Sequence, residues 1–332
     1  MSTIRDVAQE AGVSMMTVSR YFNEPQKLGA ETRSKVEKAI KDKQYVPNAA
    51  ARSLVKGTTN TLSLVLADVT NPFFTKIARA VEDVVQERGY TLMLGNTDET
   101  VEKERRYLNV LVSQRVDGVI LSPSGSNAEN IAFLQQHEIP VVLIDRKVSE
   151  VGIDTVVTDS FDAGYQLTRH LIERGYKDIA FVGGKQGIST LEERLNGYCS
   201  ALNESGLSPD YRLGEYTKQS GEKIVEEMLA LRKPPQAVVA ANNFVAIGAI
   251  EALRRHGLNI PGDVGLACFG DLEAASTIDP FLTVIKHPAY ELGRQAAQML
   301  IQRIDGYSGA PRQNKLPVQL IVRRSTPEVS SR

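Results

Sequence analysis

The chain has 332 residues, 42% of them hydrophobic and 24% charged, with a formal net charge of −1. That composition excludes a disordered or fibrous chain, no apolar run reaches the roughly 20 residues of a membrane span, and the length allows two or three packed domains. The near-zero total hides an asymmetry: residues 1–60 carry ten Lys/Arg against six Asp/Glu, or +4, which leaves −5 for the remainder. A basic head on an acidic body points to a polyanion partner for the head alone.

The opening "MSTIRDVAQE" does not read as a signal peptide. Thr3 can cap a first helix, with Asp6 in the reciprocal capping position. The stretch "IRDVAQEA" places Val7, Ala8 and Ala11 on one stripe. Gly12 supplies the positive φ of a tight turn, Val13 tucks inward, and Ser14 caps a second helix that starts at Met15. Val18 and Phe22, four apart, face inward there, and a third helix spans roughly 31–43 with Val36 and Ile40 inward. Two short helices around a glycine turn, closed by a third, define a helix-turn-helix unit.

The second helix of such a unit lies in the major groove and presents its N-terminal residues to base edges. Met15, Met16 and Arg20 are therefore predicted to read DNA, the arginine forking onto guanine and the methionines meeting thymine methyls. Ser14, Thr17, Ser19 and Lys27 suit phosphate contacts, which position the protein without specifying sequence. The alternative is an amphipathic cap whose methionines pack on a neighbouring domain.

The stretches "TIRDVAQEAGVSMMTVSRYFN" and "TRSKVEKAIKDKQYVPNAAARSL" resemble the lac repressor (LacI/GalR) family of bacterial transcription regulators in content and spacing. The resemblance implies a helix at Asn48–Leu54 that folds when a dimer meets its operator, with Asn48, Ala51 and Leu54 against DNA and Leu54 wedged into the minor groove. The residues agree: Pro47 suits a helix start, Ala49–Ala51 allow close approach, and Leu54 stands near Arg52. So short a helix is unstable alone, which lets its folding depend on DNA and on the partner chain. The expected organisation is a DNA-binding domain at 1–46, hinge helix and linker at 47–60, and a ligand-binding body at 61–332.

In the body, nine apolar runs alternate with amphipathic helical stretches, among them "TLSLVLADV", "DGVILSP", "PVVLID", "DIAFVGG" and "LTVIKHP". That alternation predicts parallel sheets covered on both faces, in two doubly wound α/β lobes with a ligand cleft at the strand carboxyl ends. The resemblance implies the periplasmic-binding-protein fold, with crossings near 159, 286 and 318. The first lobe is then about 61–158 and 287–317, and the second about 159–286 and 318–332.

An enzyme is not expected. "GGKQGIST" places Lys185 before the last glycine, against the P-loop order, and neither a GxGxxG after the first strand nor a GxSxG elbow is present. The four histidines show no metal-ligand spacing and Cys199 and Cys268 are far apart, so no metal, cofactor or disulfide is expected and a reducing cytoplasm fits.

Strand ends supply the candidate effector residues. In "TNPFF", Asn71, Phe73 and Phe74 resemble the polar head and aromatic walls of a ribose site, and "IDR" offers Asp145 and Arg146 for hydroxyls. The resemblance adds Arg194 in "EERLNG" and Asn242 in "AANN". Two departures stand out. Gly270 replaces an aspartate common among relatives, leaving Asp271 beside it, and Lys286 stands where ribose-type relatives have glutamine. Together they shift the expected pocket charge by +2, joined to Arg146 and Arg194, which predicts a sugar acid such as gluconate or a ketogluconate. A neutral sugar or a sugar phosphate is the alternative. The polar tail "STPEVSSR" lacks the leucine-rich helix of tetrameric relatives, so a homodimer on a pseudo-palindromic operator is expected.

Overall fold

The computed structural model describes residues 2–46, 57–126, 128–149, 151–231 and 233–329, without the side chains of 273–275. It divides into two compact units, Met1–Thr59 and Asn60–Arg332.

In the first unit, α1 (Ile4–Ala11) begins with a complete capping box: the Asp6 amide donates to Thr3 Oγ1, and the Thr3 amide donates to the Asp6 carboxylate at 2.7 Å. Gly12 ends it at φ +63°, a left-handed conformation that costs glycine nothing. The helix α2 (Met15–Asn23) starts on Ser14, whose Oγ accepts from the Thr17 amide at 3.1 Å. The third, α3 (Ala30–Lys43), begins one residue earlier than its periodicity suggests, because Gly29 rather than a side chain stands at its N-cap. Val7, Ala8, Val18, Val36 and Ala39 form the core, and Phe22, Ile40 and Tyr45 close over it. Asn48, Ala51 and Leu54, expected in a hinge helix, lie outside the described residues.

The second unit holds two six-stranded sheets. The first runs β11-β5-β4-β3-β1-β2, built from β1 (Thr61–Leu66), β2 (Thr91–Asn96), β3 (Gly118–Leu121), β4 (Val141–Ile144), β5 (Asp154–Thr158) and β11 (Gln313–Leu316), all parallel. The second runs β12-β10-β9-β8-β6-β7, from β6 (Ile179–Val182), β7 (Asp210–Arg212), β8 (Ala237–Ala240), β9 (Gly265–Phe269), β10 (Thr283–Lys286) and β12 (Gln319–Ile321); only β12 is antiparallel. The central strands β3, β4, β6 and β8 are buried at every residue, the signature of sheets covered on both faces. Of the four edge strands, β7, β11 and β12 hold no buried residue and carry no long apolar run, which is why nine runs correspond to twelve strands among the described residues, while β2, at the other edge of the first sheet, keeps the run "TLML" although it too is largely exposed.

Each sheet reverses its strand order once, between β1 and β3 and between β6 and β8, and at such a switch point the loops diverge and leave a crevice. The chain passes between sheets after Thr158, after Lys286 and after Leu316. The helix that follows β10, Ala289–Ile304, returns to pack on Pro72–Glu87 beside the first sheet. No helix among the described residues is long and apolar enough to cross a membrane.

Candidate functional site

On α2, the faces separate as the spacing predicts. Val18 is buried, while Met15 and Met16 are 47% and 70% exposed and Arg20 is exposed beside them. Large apolar side chains held out in water by a small rigid unit mark a contact surface. The hydroxyls are already employed. Ser14 caps the helix and meets the Thr17 hydroxyl at 2.9 Å, Ser19 accepts from Asn23, and Lys27 pairs with Glu24 at 2.6 Å across an exposed surface. A phosphate must compete for these groups, which is cheap at exposed pairs worth about 0–1 kcal/mol.

In the body, a cleft of about 610 Å³ opens between the carboxyl ends of the two sheets, within the usual size of a small-molecule site. All eight predicted effector residues line it, but the structure gives them different duties. Phe73 is a wall residue, edge-on to Phe74 at 5.1 Å and to His287 at 5.7 Å, whereas Phe74 is mainly core. Asn71 caps the helix Pro72–Glu87, its Oδ1 accepting from the Phe73 amide, and exchanges two 3.2 Å hydrogen bonds with the Asn243 amide of the other lobe. Asn242 caps Asn243–Arg255 and donates to the Tyr216 carbonyl at 3.1 Å. These two amides hold the frame and leave few atoms for a ligand.

Asp145 and Arg194 are less fully engaged, Asp145 having only the Arg146 Nε at 3.7 Å. Asp145 ends β4 at φ +67° and is buried. Burial pushes its carboxyl pKa up, against the pull of Arg146 and Arg194. Arg194 comes from the helix Ser189–Glu204, which lies against Ser160–Glu173 so closely that a Cβ at Gly164 would stand 2.1 Å from the Arg194 carbonyl oxygen. Its guanidinium rests over Phe269 at 4.8 Å and donates to the Ala241 carbonyl at 3.0 Å, and its Nε has no hydrogen-bond partner among the described residues. No ion pair joins Asp145 to Arg194. A buried donor and a buried acceptor facing one cavity are incomplete without a guest.

Part of the positive charge counted toward a sugar acid is neutralised within the fold. Arg146 is paired in the fold: both terminal nitrogens donate to Glu99 at 2.6 Å and one also donates to the Pro123 carbonyl at 2.9 Å. Burial would lower the Arg146 pKa, but Glu99 and then Asp145 hold it above the ordinary value. Lys286 is exposed at the rim, without a hydrogen bond or ion pair among the described residues. Asp271 turns to Arg323 at 2.6 Å instead. Around the whole cleft, six carboxylates face five lysines or arginines.

Sequence reasoning passed over Glu99 and His287. Glu99 lies in "TDETVEKE", a polar loop without pattern, and its partner is 47 positions away. His287 adjoins Lys286 on the opposite side of an extended segment, so alternation alone turns one inward where the other faces water. Burial and then Arg194 push the His287 pKa down to about 3, so its ring is neutral.

A helix-turn-helix unit and a two-lobed, cleft-bearing α/β body on one chain define a DNA-binding regulator that answers to a small ligand. Residues 3–48 match the model of bacterial regulatory proteins of the lacI family, and residues 59–324 match that of periplasmic binding proteins and the sugar binding domain of the LacI family. The chain belongs to the lacI family of bacterial transcription regulators. It is 36% identical over 329 residues to the HTH-type transcriptional regulator RegA of Clostridium saccharobutylicum, covering 98% of this chain and 99% of that one. The ribose operon repressor of Halalkalibacterium halodurans is 35% identical, with 98% and 97% covered. Among solved structures, the lac repressor dimer bound to operator and the anti-inducer ONPF superposes with TM-score 0.84 at 27% identity, covering 98% and 99%.

Proposed function

We propose that this regulator acts as a homodimeric repressor in the cytoplasm and that its effector is a neutral sugar. The observation that carries the ligand class is the pair Asp145 and Arg194: opposite charges, both buried in the cleft and not joined to each other, Asp145 meeting only the Arg146 Nε at 3.7 Å and Arg194 no carboxylate. With Arg146 matched by Glu99 and His287 uncharged, the interior sums to zero. A neutral polyol meets both needs, one hydroxyl donating to the carboxylate and another accepting from the guanidinium. Phe73 supplies an apolar wall for a ring face. The ribose operon repressor among the relatives agrees with this class. Effector binding would bias the two-lobed body between states of different operator affinity, with Met15, Met16 and Arg20 reading bases.

A sugar acid is the second reading, carried by Lys286, an unpaired cation at the rim within reach of a terminal carboxylate. Calorimetry of the full chain with ribose, glucose, gluconate and 2-ketogluconate separates the two. Binding of a neutral sugar that survives Lys286→Gln supports the first. Binding of the acids alone, lost on Lys286→Gln, replaces it with the second.

A further inference from the structure

His287 follows β10, where the chain leaves the second lobe for the first. Its ring touches three elements. Nε2 lies 3.5 Å from Arg194 Nη2, Nδ1 lies 3.5 Å from the Thr158 hydroxyl at the end of β5, and the ring meets Phe73 edge-on at 5.7 Å. Arginine only donates, so Nε2 must present its lone pair to Arg194, and the single proton of a neutral imidazole then sits on Nδ1, facing Thr158. The tautomer is fixed by its neighbours. Arg194 is in turn held on three sides, by the Ala241 carbonyl, by the Phe269 ring beneath it and by His287, which leaves its Nε as the donor without a protein partner.

We propose that His287 is the positioning residue that sets the selectivity of this cleft, aiming the Arg194 guanidinium at the ligand while adding no charge of its own. The inference rests on the reading of the cleft as a sugar site. A residue that accepts from Arg194 without carrying charge leaves Asp145 and Arg194 in balance, so hydroxyls satisfy the site and a carboxylate overloads it with negative charge. A cation at 287 would tip the balance the other way. The ring also joins both lobes, so a ligand that pulls on Arg194 pulls on the crossing segment at the same time.

Two measurements on the full chain test this. In ligand-free protein labelled with 15N-histidine, two-bond 1H–15N spectra should show one neutral ring protonated at Nδ1 from pH 8 to pH 5, absent in His287→Gln. A His287 ring protonated at Nε2, or titrating near the ordinary value of about 6.5, overturns the proposal whether or not any sugar binds. In calorimetry with ribose, glucose and gluconate, His287→Leu should weaken the neutral sugar about tenfold, as expected when a charged hydrogen bond loses its aim. His287→Gln, which keeps an acceptor and a donor, should restore binding to within about threefold of the parent. His287→Lys should reverse the order of neutral sugar and gluconate. Equal losses for Leu and Gln, or an unchanged order in the Lys variant, would refute the role of His287. Failure of all three compounds to bind the parent would instead remove the sugar reading and leave the spectra to decide this one.

Discussion

Glu99→Gln is the substitution that most directly examines the charge balance of the cleft. The Arg146 and Glu99 side chains are 5% and 15% exposed, and two 2.6 Å hydrogen bonds join them. Removing one member of a buried ion pair costs roughly 3–5 kcal/mol, because the surviving charge stays out of water without its partner. Here the lower end applies. Glutamine keeps one acceptor, the Pro123 carbonyl remains at 2.9 Å, and Asp145 Oδ2 lies 3.7 Å from Arg146 Nε. At about 2–4 °C per kcal/mol for a large domain, a loss of about 3 kcal/mol lowers the melting temperature by about 6–12 °C. Scanning calorimetry reads that shift, and the same scans with gluconate read the consequence for ligand charge. The variant frees Arg146 to take a carboxylate bidentately, so saturating gluconate should restore part of the lost stability in the variant and leave the parent unmoved. At one hundred times the dissociation constant, the recovery would be about 2.7 kcal/mol. A melting temperature within about a degree of the parent would show that the pair is not a buried one. Equal stabilisation of parent and variant by gluconate would show that Glu99 does not neutralise the site.

On α2, Arg20→Ala should cost about 1–3 kcal/mol at one operator position and relax the base preference there. Lys27→Ala, beginning from an exposed pair with Glu24, should weaken all sequences alike and lower the salt slope by about one. Fluorescence anisotropy on single-base operator variants distinguishes them, and a uniform loss for Arg20→Ala would end its base-reading assignment. At the start of β5, burial alone would raise the Asp154 pKa, but hydrogen bonds from Arg303 and Arg312 outweigh it and hold it at about 2. A folded value below the ordinary 3.8 means that the stabilisation is complete above about pH 4 and disappears as the pH falls through 2. Urea unfolding at pH 5, 4, 3 and 2 should show that loss in the parent and a much flatter profile in Asp154→Asn. Identical profiles would remove the clamp from the acid response.

What could be read from the chain depended on whether its cause was local. The capping box of Thr3 and Asp6, the turn at Gly12 and the cap at Ser14 are contacts between residues three or four apart, and spacing alone reveals them. Buried strands such as "GVIL" and "AVVA" announce themselves because water is excluded from both faces. The edge strands β7, β11 and β12 do not, since none of their residues is buried and the pairing partner alone makes each a strand; the edge strand β2 is read only because it keeps the run "TLML". The cleft divides in the same way. Its members could be named from strand ends, but the charge or hydrogen-bonding capacity each has left for a ligand is decided by a partner far along the chain: Glu99 for Arg146, Arg323 for Asp271, Asn243 for Asn71. Counting charges along the sequence treats every side chain as facing the ligand, whereas a folded chain spends most of them on itself. The ligand's chemistry is therefore set by the groups that the fold leaves unspent. In the interior of this cleft we read those as the Asp145 carboxylate, which has only the Arg146 Nε at 3.7 Å, and one guanidinium edge at Arg194, and a guest that offers both a donor and an acceptor, with no charge of its own, completes them.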